Sequence, residues 1–229
     1  MIPLAEMQMS MDLGRLYSNR FPEHELQQKD AIWRVLCRDF FQRYIPRDAV
    51  VLDLGAGYGE FLRNIECGAR VAVDLNDDVR RYVPAETRVI LAPSHALQDV
   101  LADESIDIVF VSNFFEHLPD TATFLATLGE IRTVLKPGGR LLALQPNIRF
   151  VGGAYWDFVD HHLALTDRTL VEACTSLGYE IVEVVPKFLP YTTRSALPQS
   201  PWLVRAYLSF RPAWWLLGKQ TWFVARKPR

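Results

Sequence analysis

The stretch Val50-Val51-Leu52-Asp53-Leu54-Gly55-Ala56-Gly57-Tyr58-Gly59-Glu60-Phe61 decides the fold. Val50 to Leu54, four apolar residues and one acid, read as a strand buried on both faces, the pattern of a parallel sheet covered by helices. Gly55, Gly57 and Gly59 then force a sharp turn. Only glycine lets the backbone go left-handed there and sit against a ligand without a Cβ in the way. From Glu60 the chain opens a helix. A strand, a glycine turn and a helix at this spacing predict a nucleotide-type site at the carboxyl end of a parallel strand.

The residues around the turn say which nucleotide. A dinucleotide fingerprint started at Gly55 needs its third glycine at position 60, where this chain has Glu60. A carboxylate there repels a pyrophosphate and tolerates a cation. The chain has no Gly-Lys-Ser/Thr, which excludes a phosphate-cradling P-loop. Asp74 lies at the end of the next predicted strand, 70–75, where an acid accepts both hydroxyls of an unphosphorylated ribose. Asp53, the glycines and Asp74 together suit an adenosyl sulfonium compound better than a nicotinamide dinucleotide.

Three further stretches extend the pattern. Val73-Asp74-Leu75-Asn76 carries the ribose acid. Asp107-Ile108-Val109-Phe110-Val111-Ser112-Asn113, running on to Glu116-His117-Leu118, reads as a mid-sheet strand and the turn beyond it. Leu135-Lys136-Pro137-Gly138-Gly139-Arg140 reads as the turn into the next strand. Together with the glycine turn these motifs, in this order over roughly residues 45 to 185, resemble the class I S-adenosylmethionine-dependent methyltransferases of the broad type-11/type-12 group. The resemblance implies S-adenosylmethionine as cofactor and an α/β, doubly wound, seven-stranded, mostly parallel sheet of order 3-2-1-4-5-7-6, with helices on both faces. It also implies that Tyr17 and Arg20 reach the methionine carboxylate and that Asn113 and Phe114 line the cofactor. Asp53, Gly55, Gly57, Asp74 and Leu75 complete the expected cofactor site. Relatives often place an acid after the third strand to take the adenine amino group; this chain offers Ser94 and His95 instead.

Predicted strands are 50–54, 70–75, 87–91, 108–111, 140–144, 179–185 and 221–225. Predicted helices span 22–44, 60–66, 77–82, 120–135 and 166–177, with Asp120 and Thr166 or Asp167 as caps and Gly178 as the last stop. One methyltransferase domain is expected over 1–229. It divides into an N-terminal cap and helix (1–45), a cofactor-binding core (46–185), an insertion where relatives often have a hairpin (186–219) and the last strand (220–229).

Methyl transfer to a hydroxyl needs a base facing the methyl group, beyond the carboxyl ends of the fourth and fifth strands. His117 is one candidate. The loop 148–165 supplies the others: Asp157, Asp160, His161 and His162 between aromatic residues, with His161 or His162 the preferred base. Asp-x-x-Asp-His-His permits a divalent cation but does not demand one, and no metal is expected. Asn147 either positions an acceptor or closes the Gln145–Pro146 turn. The expected acceptor is small or carrier-linked, with an oxygen of a sugar or glycoconjugate preferred over an aromatic or polyketide hydroxyl. The rivals are a domain that binds cofactor without turnover and a dehydrogenase, which Glu60 disfavours.

Composition bounds the remainder. At 229 residues and 49% apolar content the chain makes one compact domain, and a net charge of −2 points to no nucleic-acid partner. Cys37, Cys67 and Cys174 are far apart with no Cys-x-x-Cys, as in a reduced cytoplasmic protein, and a monomer or homodimer is expected. No basic-then-apolar leader opens the sequence, and no apolar run approaches the ~20 residues of a membrane span. Charge is uneven: the chain has no acid after Glu183, and eight basic residues follow it, leaving −10 on the first 183 residues. Four of the six tryptophans share that basic tail. The tail therefore reads as core or dimer face, as a lid, or as a peripheral membrane contact.

Overall fold

The computed structural model describes residues 23–191 and 200–229. Seven strands form one sheet: β1 (Val50–Leu54), β2 (Ala69–Asp74), β3 (Arg88–Leu91), β4 (Ile106–Ser112), β5 (Leu135–Pro146), β6 (Glu180–Leu189) and β7 (Gln220–Arg226). Their order is β3-β2-β1-β4-β5-β7-β6. The first five are parallel, and β7 runs antiparallel to both β5 and β6. This is the order the motifs implied. The strand order reverses between β1 and β4, and the crevice at their carboxyl ends is where such sheets bind ligands.

Helices cover both faces. On one side α3 (Thr121–Val134) and α5 (Asp167–Ser176) press Phe124, Leu128, Leu170 and Cys174 onto Val109, Leu141 and Phe223. On the other, α1 (Glu23–Asp39) and the short α2 (Glu60–Asn64) lie over Val51, Ala72 and Phe110. Asp120 Oδ1 accepts from the Thr123 amide and the Thr166 hydroxyl from the Thr169 amide, so both helices start at the expected caps. Gly178, with φ +77°, follows α5.

The structure corrects several boundaries. The expected helix 22–44 stops at Asp39 and is followed by a single 3-10 turn, Phe41–Tyr44. Phe40 and Phe41 are both buried, at 2% and 0% exposure. Consecutive side chains on an α-helix point about 100° apart, and the break lets both rings face the core. There Phe40 stacks on Phe188 at 4.1 Å, and Phe41 lies 5.1 Å from the fully buried Trp222. The loop 148–165 contains a one-turn helix, α4 (Ile148–Val151), and a 3-10 turn, Gly152–Trp156. The strands β5 and β6 outrun their predicted ends, and the pairing of β6 with β7 is irregular between Val185 and Leu189, where Pro186 sits.

The insertion carries two helices: α6 (Pro201–Ser209) and α7 (Arg211–Leu217). Each has proline in its first turn, where the missing amide hydrogen costs nothing. The insertion is partly core. Trp214 is 6% exposed and donates its indole N–H to the Tyr207 carbonyl, while the Tyr207 hydroxyl donates to Phe188 O at 2.6 Å. Among the described residues no helix is long and apolar enough to cross a membrane.

Candidate active site

The glycine turn follows β1 directly. Gly55, Gly57 and Gly59 have φ of +74°, +51° and +64°, the left-handed region that favours glycine. Each has its own neighbours. A Cβ on Gly55 would lie 2.4 Å from the Phe114 ring, and one on Gly59 would lie 2.8 Å from Val83. A Cβ on Gly57 would meet nothing nearer than the Gly55 carbonyl at 4.0 Å. The open side of the turn is therefore at Gly57, and its amide donates to Asp74 Oδ2 at 2.8 Å. Asp74 Oδ1 accepts from the Asn76 amide at 2.9 Å. A carboxylate oxygen accepts more than one hydrogen bond, so both oxygens retain capacity for ribose hydroxyls. Leu75 beside it is 64% exposed, an apolar face ready to cover a base.

Electrostatics around the turn favour a cation. Asp53 is 3% exposed; burial, then the charges of Asp74 and Glu60, push its carboxyl well above the usual range. Glu60 opens α2 and is held at 2.9 Å by Lys29 from α1. A positively charged sulfonium relieves three clustered carboxylates; a pyrophosphate adds to their repulsion. The residues at this turn thus fit S-adenosylmethionine.

The other expected cofactor residues are scattered. Asn113 follows β4 with φ +48° and is exposed, and Phe114 is half-buried against Gly55. The hydroxyl of Ser94 is buried and bonded to Thr127 of α3 at 2.7 Å, which leaves only its main chain for an adenine amino group. Tyr17 and Arg20 lie outside the described residues.

Beyond β4 the acceptor side takes form. His117 Nδ1 lies 3.0 Å from the main-chain oxygen of Asp160 and 3.2 Å from its Oδ2. Burial pulls the His117 pKa down, but the hydrogen bond to Asp160 and the charges of Glu116 and Asp160 outweigh it, and the net shift is upward. His161 is buried, with Nδ1 2.6 Å from the Tyr155 carbonyl and its ring 5.0 Å from that of His117. The tyrosine's hydroxyl donates to the Leu163 carbonyl and ties the loop down. His162 is exposed; its amide donates to the Glu116 carbonyl at 2.8 Å, which aligns the loop with the turn after β4. Asp157 is exposed and stands apart from the buried group. The structure thus brings His117, Asp160 and His161 together and leaves His162 at the rim. Asn147 does not face an acceptor: its amide bonds Asp167 and Thr221, and its oxygen caps α4 by accepting from Arg149 N.

Three residues at the centre of this cluster were not singled out as functional from the sequence. Glu116, 1% exposed, accepts from Gln145 Nε2 at 2.9 Å, and burial raises its pKa despite His117 and Gln145. Tyr155 O holds His161. Adjacency to His117 is a signal for Glu116; Gln145 becomes visible only when β4 and β5 are laid side by side.

Residues 52–143 match the model of a family described as "Methyltransferase domain". A protein of Mycolicibacterium smegmatis, named as an S-adenosylmethionine-dependent methyltransferase, is 29% identical over 149 residues, 64% of this chain and 57% of its own length. An Encephalitozoon cuniculi protein named as a methyltransferase is 26% identical over 168 residues, covering 65% of this chain and 78% of that protein. The crystal structure of a SAM-dependent methyltransferase from Archaeoglobus fulgidus superposes with a TM-score of 0.64 at 21% identity, over 94% of this chain and all of that one. The structural likeness carries the fold.

Proposed function

We propose that the chain is a class I S-adenosylmethionine-dependent methyltransferase, a reading supported by its fold, its motifs and the match over residues 52–143, and that it methylates a hydroxyl oxygen of a sugar, glycoconjugate or similar small molecule. The observation that carries this reading is the meeting of Glu116, His117 and His161 beyond the carboxyl end of β4, with ligating atoms within 4.8 Å of one another. In the transfer, the carbon–sulfur bond breaks with its electron pair going to sulfur. A carbon–oxygen bond forms, and the hydroxyl proton departs. A hydroxyl needs help in losing that proton, because its pKa is high. A buried carboxylate, two imidazoles and Asp160 are the environment that favours losing that proton. Alignment of oxygen, methyl and sulfur supplies much of the remaining acceleration. Trp156, 51% exposed beside Asp157, offers a flat apolar face and hydrogen-bonding neighbours, a pairing suited to a sugar ring.

The test is incubation with methyl-labelled cofactor and a panel of sugars, glycoconjugates, phenols and amines, with products resolved by mass spectrometry. Label on a carbohydrate hydroxyl is expected. Transfer confined to phenols would favour the aromatic alternative, and transfer confined to amines or carbon would overturn the reading.

We also propose that the insertion rests on an anionic membrane surface, which would suit a lipid-carried acceptor. What supports this is that Trp202, Phe210, Trp215 and Leu216 are 69%, 61%, 73% and 71% exposed and interleave with Arg205, Arg211 and Lys219, in a tail without acids. Co-sedimentation with phosphatidylserine vesicles, lost in a Trp202→Ser/Trp215→Ser variant, is expected. Wild-type protein remaining in the supernatant would refute it.

A further inference from the structure

We propose that Glu116, His117 and His161 bind a divalent transition-metal cation that holds and acidifies the acceptor hydroxyl. The proposal rests on the hydroxyl-methylation reading above and deepens it. With a cation present the proton leaves a metal-bound oxygen, and the imidazoles serve as ligands.

The argument begins with tautomers. A main-chain oxygen can only accept. The 3.0 Å contact of His117 Nδ1 with Asp160 O and the 2.6 Å contact of His161 Nδ1 with Tyr155 O therefore put the proton on Nδ1 in both rings. In a neutral ring held this way, Nε2 is the nitrogen that can ligate a cation. Glu116 is held in the same way: Oε2 accepts from Gln145 Nε2 at 2.9 Å. All three residues thus have a hydrogen-bond partner, as in the outer shell by which metal sites fix ligand orientation.

Distance and burial agree. One ligating atom from each residue lies within 4.8 Å of the others. A shell with bonds of about 2.0–2.1 Å sets neighbouring ligands roughly 3.4 Å apart, within reach of small side-chain rotations. Glu116 and His161 are 1% and 8% exposed, and the partner of the glutamate, Gln145, is neutral, so a cation supplies the charge this buried carboxylate lacks. The His117 side chain is 23% exposed and opens the group to one side. Three protein ligands with an open position are the pattern of a reactive rather than a structural site. Two imidazoles and one carboxylate suit zinc, manganese, iron or cobalt better than magnesium or calcium. No electron transfer is required: the cation stabilises an alkoxide, the proton passes to solvent, and the oxygen attacks the methyl carbon as the carbon–sulfur bond breaks. The ligands differ from those the Asp-x-x-Asp-His-His spacing suggests, since Glu116 and His117 come from the turn after β4, and Asp160 stands behind His117.

The test titrates chelator-stripped full-length protein with cobalt chloride, followed by visible absorption. One equivalent bound by the wild type is expected, with affinity at least tenfold weaker in Glu116→Gln and in His161→Ala while both still bind S-adenosylhomocysteine. No binding by the wild type, or binding undiminished in both variants, overturns the site. Should the variants fail to fold, pulsed electron paramagnetic resonance of the wild-type cobalt adduct decides: nitrogen couplings from two imidazoles are expected, and their absence refutes it. Homocysteine-product binding by the stripped wild type separately tests the methyltransferase reading, which can stand if the metal site falls.

Discussion

The amide of Gly57 donates to Oδ2 of Asp74 at 2.8 Å, so the acid that ends β2 also fastens the glycine turn after β1. Replacing Asp74 removes a ribose acceptor and loosens the turn together. Charge-assisted hydrogen bonds contribute about 1.5–3 kcal/mol each, so Asp74→Ala should weaken S-adenosylhomocysteine by one to two orders of magnitude. An analogue lacking both ribose hydroxyls separates the two effects. Calorimetry should find that Asp74→Ala costs this analogue much less; an equal loss would assign the residue to the turn alone.

Asp53 is buried beside Asp74 and Glu60, and its carboxyl titrates above its usual range. S-adenosylmethionine differs from its product by the sulfonium charge. That charge favours the ionised form of Asp53, so binding expels a proton and affinity for the donor relative to the product rises with pH through that titration. Asp53→Asn should flatten this dependence and weaken the donor more than the product, by on the order of 1 kcal/mol. Parallel calorimetric titrations over a pH series measure both.

Gly55 packs under the Phe114 ring with φ +74°, and a Cβ there would sit 2.4 Å from it. Gly55→Ala should cost about 1–3 kcal/mol of stability in urea denaturation, from backbone strain and the clash together. Adding Phe114→Ala relieves the clash but leaves the backbone term, so the double variant should be more stable than the sum of the two single changes implies.

Asp30 of α1 accepts from Arg63 Nη2 at 2.8 Å and from Asn64 at 3.1 Å, which ties α1 to α2. Burial pushes its pKa up, but the hydrogen bonds and the charge of Arg63 outweigh that, and the net shift is downward. A lowered folded-state value means the contribution is present above the unfolded pKa and fades as pH falls through the folded one. Asp30→Asn should therefore destabilise the protein by up to about 1 kcal/mol at neutral pH and by less in acid, since the pair is partly exposed. Thermal unfolding at pH 7 and pH 3 reads the difference.

What could be read from the sequence follows from what each residue type permits. Gly55, Gly57 and Gly59 announced the turn because other residues resist left-handed backbone, and β4 announced itself as a continuous apolar run flanked by acids. The break after Asp39 was hidden, because a helical stripe and a kinked one share the same apolar residues until Phe188 and Trp222 arrive from far along the chain. The helices of the insertion were hidden, because proline ends helices as readily as it starts them, and Pro201 and Pro212 lie in the first turns of α6 and α7. At the site, local spacing pointed to the loop histidines but could not distinguish buried His161 from exposed His162. Nor could it find the Glu116–Gln145 contact, which depends on two adjacent strands.

Calorimetric titration of the full-length protein with S-adenosylhomocysteine tests the central claim most directly. One equivalent should bind, Asp74→Ala should weaken it severely, and nicotinamide dinucleotide should not compete. Intact, folded protein that takes up no S-adenosylhomocysteine, or that loses it to the dinucleotide, would contradict the assignment of the glycine turn as a sulfonium-cofactor site.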